Sequence, residues 1–163
     1  MKPLHPDTLI RNPKGQPIVA SIVVDCHAAN LWSTVGRFSG FDAFIPALAN
    51  IEMTGTGVGA LRKKYFRDGN CVVEQLNTLD DQAMQMTWTM IYNTLGIARL
   101  WAAICVQGLG AQCSRVTWTI IAEPLDAAQA GFESFVQSFI DSALENVRRL
   151  LGQVAGATSL APA

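Results

Sequence analysis

Between Asp126 and Gly152 the apolar residues recur at gaps of three and four: Phe132, Phe135, Val136, Phe139, Ile140, Ala143, Leu144, Val147 and Leu151. That spacing places them on one side of an α-helix. Glu133, Gln137, Asp141, Glu145, Arg148 and Arg149 fill most of the other side. Asp126 stands where a cap would start the helix, with Gln129 in the reciprocal position of a capping box. Arg148 and Arg149 oppose the dipole in the last turn, and Gly152 suits the stop. Such a helix is about 37 Å long, at ~1.5 Å per residue. A stripe this long and this aromatic needs a broad apolar surface to lie on, and the rest of the chain has to supply it.

The remaining residues read as a sheet. Ile18 to Cys26 is β-branched and bounded by Pro17 and His27, which predicts a strand. Ala28 to Val35 predicts a short helix, and Gly40 to Pro46 a second one or an irregular turn, ended by Pro46. Strands are then expected over Ile51–Thr54, Ala60–Arg67, Cys71–Asn77, Met84–Tyr92, Arg99–Gln107 and Gln112–Ala122. Tight turns join them, Asp68-Gly69 among them, so the sheet is antiparallel. A large sheet of this kind twists and curls, and one long helix can lie in its concavity.

Composition narrows the function. The chain has 163 residues, half of them hydrophobic, and a formal net charge of −1. That length suits one domain, expected over 17–153, with 1–16 a flexible arm and 154–163 a frayed tail. Without a basic excess there is little to neutralise phosphates, so no nucleic-acid partner is expected. No run reaches the roughly 18 apolar residues of an integral membrane segment. The arm carries Pro3, Pro6 and Pro13 and no apolar core of a secretory signal. Cys26, Cys71, Cys105 and Cys113 lack metal-ligand spacing and read as free thiols in a reducing, cytoplasmic setting. His5 and His27 are the only histidines, too few for a nucleophile–histidine arrangement. Neither a metal nor a cofactor is expected.

Three stretches in this order carry a resemblance. Asn30 to Phe38 resembles a first-helix motif in which tryptophan packs under the sheet. Gly59 to Lys63 resembles the glycine-then-arginine entry to a third strand. Glu74 to Asp81 resembles the hairpin between a fourth and a fifth strand. Together they resemble the START-like helix-grip superfamily, also called SRPBCC, which includes the polyketide cyclase/dehydrase-like family, the birch pollen allergen and the plant abscisic acid receptors. The resemblance covers residues 18 to about 152. It implies an α+β helix-grip fold: a curved antiparallel seven-stranded sheet around a long C-terminal helix, with two short helices after the first strand. It also implies an apolar cavity between sheet and helix. Matched position by position to the hormone receptors, Phe44, Glu74, Trp88, Met90, Trp101, Ala103, Thr117, Phe135 and Phe139 would line that cavity. Asp42 stands where those receptors have a ligand-binding lysine, and their gating loop has no counterpart, so only the scaffold carries over.

The residues themselves offer further candidates. Met84, Met86, Trp88, Met90 and Tyr92 alternate onto one face, and unbranched methionines suit a wall that meets varied ligands. The plainer reading is that this row is core, packed against Phe135 and Phe139. Glu74 sits mid-strand between Val72 and Leu76, and if it points inward it needs a partner. Lys63 and Lys64 lie on the strand opposite: a two-residue turn would choose Lys63, a three-residue turn Lys64. The alternative is a solvated ion pair on the outer face, worth little. Arg62 and Arg115 are expected on the outer face or at a cavity mouth. In Val116 to Ile120 the apolar set turns Trp118 inward, whereas the resemblance turns Thr117 and Thr119 inward. Leu100, Ala102, Ile104 and Val106 lie opposite Trp101 and Ala103. Were both outer sets exposed, they would form a homodimer contact.

The expected function is binding of a small hydrophobic or amphipathic ligand, lipid- or polyketide-like, in the internal cavity. One alternative is a polyketide cyclase or dehydratase that uses Glu74 as acid or base. A third reading is an interaction module whose core is filled by its own side chains.

Overall fold

The computed structural model of the protein describes residues 13–159, with side chains over 13–152. The elements run β1 (Ile18–Val24), α1 (Ala28–Val35), a single 3-10 turn (Phe41–Ala43), β2 (Leu48–Thr54), β3 (Leu61–Phe66), β4 (Cys71–Asp80), β5 (Gln85–Asn93), β6 (Ile97–Gly110), β7 (Cys113–Pro124) and α2 (Phe132–Ser159). The strands form one antiparallel sheet in the order β1-β7-β6-β5-β4-β3-β2. Consecutive strands are neighbours from β2 to β7, and β1 closes on β7 with Ile18 opposite Ile120. This is the seven-stranded helix-grip arrangement expected from the sequence, and α2 covers the concave face. Most of the expected arm, residues 1–12, lies outside the described residues, as does the end of the tail.

Two boundaries of the long helix differ from expectation. It starts at Phe132 rather than Asp126, because Asp126 folds a local turn instead: its Oδ1 accepts from the Ala128 N–H at 2.9 Å, and its carbonyl accepts from the Gln129 N–H. Gly131 then reverses the chain at φ +78°, a conformation glycine takes without steric cost, and its carbonyl accepts the first helical bond from Phe135. At the other end α2 continues past Gly152 to Ser159. A glycine inside a helix costs roughly 1 kcal/mol and does not forbid the next turn.

α1 is fastened from both sides. The His27 ring accepts from the Ala29 N–H at its start, and Leu31, Trp32 and Val35 are buried beneath it. The Trp32 indole reaches across to Asp81 Oδ1 at 2.9 Å in the β4–β5 turn. Gly36 ends the helix where a Cβ would stand 2.4 Å from the Trp32 ring, so no side chain fits there without displacing the tryptophan.

Bulges coil the sheet. One skips Ile91 between the pairs Val73–Tyr92 and Glu74–Met90, and another skips Asn77 beside Leu76. The first breaks the alternation of β5: Met86, Trp88 and Met90 are buried, but Tyr92 falls on the outer face, against the sequence expectation. Met84 lies before β5 in the turn at φ +55°, so it does not continue the row. Inside the sheet, Trp88, Trp118, Phe41 and Phe139 pack edge to face at centroid distances of 5.5 to 6.1 Å.

Candidate ligand cavity and its buried charges

A hollow of about 210 Å³ remains between the sheet and α2. Its inner walls come from Val72 and Glu74 on β4, Trp88 and Met90 on β5, Leu100 and Ala102 on β6, Trp118 and Ile120 on β7, and Val136 and Phe139 on α2. The exposed members Ala47, Asp68 and Phe135 mark its mouth. A second hollow outside Phe135 and Phe139 is lined by Phe44, Pro46, Ser142 and Asn146. Phe135 and Phe139 therefore form the partition between the two.

One wall is polar. The β3–β4 hairpin has a three-residue turn, in which the Phe66 N–H donates to the Asn70 carbonyl at 2.9 Å and Gly69 takes φ +91°. That odd length sets Arg62 directly opposite Glu74 and Lys64 opposite Val72. Side chains alternate, so Arg62, Lys64 and Glu74 all point inward, at 0, 5 and 3 % exposure. The Arg62 Nε donates to Glu74 Oε1 at 2.8 Å, and the Lys64 ammonium meets the same oxygen at 2.8 Å. The Trp88 indole N–H donates to Glu74 Oε2 at 2.9 Å. Arg62 donates also to the Phe38 carbonyl at 2.9 Å. Its guanidinium lies 4.0 Å from the Phe38 ring centre, 4.1 Å from Phe41 and 4.9 Å from Trp88. A planar, weakly hydrated cation is suited to such an aromatic box.

These contacts set the charge states. Burial alone would push the Glu74 carboxyl up, but the Arg62 and Lys64 charges and their hydrogen bonds overcome it and hold it at about 2. Glu74 is thus a fixed anion with both oxygens engaged. Burial pushes the Lys64 amine down and Arg62 pushes it the same way, while Glu74 pulls it back up. Arg62 is lowered by burial and raised by Glu74. A guanidinium keeps its proton at any physiological pH regardless.

The sequence expectations divide accordingly. Lys64, Glu74, Trp88, Met90, Phe135 and Phe139 come together around the hollow. Lys63 is on the outer face over the Tyr65 ring, which resolves the choice between the two lysines. Arg62, placed by the sequence reading at the surface or the mouth, is the most deeply buried charge of the three. Phe44 is core, 4.9 Å from Phe41, and lines the outer hollow instead. Met86 is fully buried core, and Met84 sits half-buried in its turn.

Trp101, Ala103 and Thr117 do not reach the cavity. Their neighbours Leu100, Ala102, Val116 and Trp118 are the buried, inward set, and a strand cannot offer adjacent residues to one face without a bulge. The apolar pattern of β7 was therefore the better guide, and the position-by-position match to the receptors is out of step on β6 and β7. The same result removes the ground for the homodimer contact, since Leu100, Ala102, Ile104 and Val106 face the core. The sequence reading also missed Leu95, Ile97 and Ile120 on the cavity wall. Ile120 shares the parity of Trp118, but Ile97 has the opposite parity to Leu100 and turns inward through the register shift before Arg99, and Leu95 lies in the turn ahead of β6, so neither carried a signal in the sequence.

Among the described residues no three His, Cys, Asp or Glu side chains converge as metal ligands. The four cysteines are half-buried and unpaired. No described helix is long and apolar enough to cross a membrane.

Comparisons with known proteins agree with this fold. The family model for polyketide cyclase/dehydrase and lipid transport matches residues 16–152. No curated protein sequence matches the chain. Among solved structures it is similar to protein XoxI of Bacillus cereus (TM-score 0.76, 16 % identity, covering 83 % of this chain and 95 % of that one). A protein from Thermobifida fusca is also similar (0.70, 22 %, 84 % and 93 %), as is the Zhui aromatase/cyclase of Streptomyces sp. R1128 (0.65, 13 %, 83 % and 95 %). At these identities the likeness concerns the fold.

Proposed function

We propose, from the premise that this chain belongs to the polyketide cyclase/dehydrase and lipid transport family, that it binds a small hydrophobic or amphipathic molecule between its sheet and α2. The observation that carries this reading is the unfilled hollow of about 210 Å³, apolar but for one wall. Native cores leave few voids larger than a water molecule, and such a hollow speaks against the filled-core interaction module. Its size suits one or two fused rings or a short acyl chain. A larger guest needs Phe139 to swing out and join the second hollow, whose volume is about 300 Å³.

A second reading, an enzyme of the cyclase or dehydratase type, is favoured by the family and by the aromatase/cyclase among the similar structures. In that case Glu74 is not the acid or base. A carboxyl held at about 2 carries no proton near neutrality, and both its oxygens are already engaged. Lys64, whose amine is lowered by burial, is the group that could move a proton to a guest.

Native mass spectrometry of the freshly purified protein, with extraction of what is bound, tests the leading reading. A stoichiometric hydrophobic guest is the expected result. A bare protein that also takes up no fluorescent fatty-acid or polyketide-like probe would sink it. Turnover abolished by Lys64→Met with binding retained would favour the enzyme.

A further inference from the structure

The charges in the wall do not balance. Arg62 and Lys64 carry two positive charges and Glu74 one negative, all at least nine-tenths buried. Removing an unmatched ion from water is costly, and a buried ion is retained where something completes it. Arg62 is enclosed by rings and does not line the hollow, whereas Lys64 does. An ammonium has three donors, and Glu74 engages one of them. Among the described residues no other acid faces Lys64 from the elements packed around it. β5, β6, β7 and α2 present only apolar and aromatic side chains to the hollow, Trp88 and Trp118 among them. The remaining charged lining residue, Asp68, sits exposed at the mouth, where Asn70 engages its carboxylate and water screens it.

We infer that the natural ligand is a compact monoanion, an aromatic body with one oxyanion head that lies against the Lys64 ammonium and neutralises the wall. This rests on the binding reading above and names its ligand class. The head is a carboxylate or an ionised phenol or enol, which share the same chemistry: one negative oxygen accepting the free ammonium protons. The body is flat and small, because the Trp88, Trp118 and Phe139 rings bound a space of about 210 Å³. Dianionic heads such as phosphate monoesters are disfavoured, since they overshoot a single uncompensated charge and carry oxygens that the apolar walls leave unpaired.

Isothermal titration of the intact protein with naphthoate and with its neutral isostere naphthalenemethanol tests the inference, and dinitrophenolate separates the ionised phenol from the carboxylate. Charge-assisted hydrogen bonds are strong enough that naphthoate is expected to bind at least about tenfold tighter than the alcohol near neutral pH. In Lys64→Met, where Arg62 and Glu74 remain a balanced pair, the preference is expected to vanish while the alcohol still binds. Equal affinity of acid and alcohol for the unaltered protein overturns the inference and leaves the cavity reading standing. If no probe binds, the cavity reading fails and takes this inference with it. The comparison on the unaltered protein is decisive even if the variant does not fold. Tighter dinitrophenolate than naphthoate would assign the head to an ionised phenol or enol, and the reverse to a carboxylate.

Discussion

At the scale of single residues the protein is organised around Glu74, whose carboxylate holds two cations and an indole in place. Replacing it with glutamine leaves Arg62 and Lys64 buried without an anion. Breaking such a cluster from one side costs about 3 to 5 kcal/mol, and the urea midpoint of Glu74→Gln is expected to fall accordingly. Acid is expected to act on the same group. The Glu74 carboxyl is held at about 2 in the folded chain against an ordinary 4.5. Its contribution is therefore present above about pH 4.5 and is lost as pH falls toward 2. At about 1.4 kcal/mol per pH unit this amounts to roughly 3 kcal/mol. Stability measured by urea titration should fall steeply across that window. In a variant that removes Lys64 as well as Glu74, the acid-sensitive part should shrink. Lys64 has the opposite sign: burial lowers it, so the penalty for its charge is relieved in alkali, and its contribution rises as pH passes up toward the ordinary lysine range.

At the scale of elements, α1 and α2 close the sheet by different means. α1 depends on one tryptophan seated against Gly36 and tied to Asp81. A methyl group at position 36 collides with that ring, so Gly36→Ala is expected to cost about 1 to 3 kcal/mol, the usual range for overpacking. The change should be visible in thermal melts and in the near-ultraviolet signal of Trp32. α2 depends on a continuous apolar stripe in which Ile140, Leu144 and Val147 have no exposure. Toward its start the stripe changes character: Phe135 is 54 % exposed while Phe139 packs on Trp118 at 6.1 Å. Phe135→Ala is expected to cost about 1 to 2 kcal/mol, because close to half of the residue is withdrawn from water. Stopped-flow mixing with a fluorescent guest should show faster entry and exit, because the ring stands at the mouth.

For the whole molecule, the proposed binding would use the same apolar surface as folding. The sheet and α2 meet without filling the space between them, so a guest of the proposed kind would complete the core and bind only the folded state. At a guest concentration one hundred times its Kd the gain is about 2.7 kcal/mol. Differential scanning calorimetry with naphthoate should raise the melting temperature in proportion to the logarithm of its concentration. A melting temperature unmoved by saturating naphthoate would show that this guest does not occupy the fold's interior.

Local periodicity was enough to read the order of elements, the antiparallel sheet and the long helix. Hydrophobic alternation and helical spacing are written into each segment independently of the others, as in Phe132 to Leu151. Glu74 was legible too, because a carboxylate between Val72 and Leu76 breaks the apolar face of its own strand. Arg62 was legible in principle, since the alternation that selects Lys64 selects Arg62 as well. Its place on the outer face or at a mouth was the natural expectation, because a mid-strand arginine beside two lysines looks like surface until its aromatic box is assembled from Phe38, Phe41 and Trp88, distant in the chain. The start of α2 at Phe132, the bulge that turns Tyr92 outward and the inward face of β6 and β7 depended on tertiary structure. A one-residue shift in pairing exchanges the two faces of a strand, and pairing is settled by neighbouring strands rather than by the strand itself. The charge balance of the wall also belongs to the assembled fold, because only the three-residue turn at Asp68 brings two cations and one anion to the same buried face.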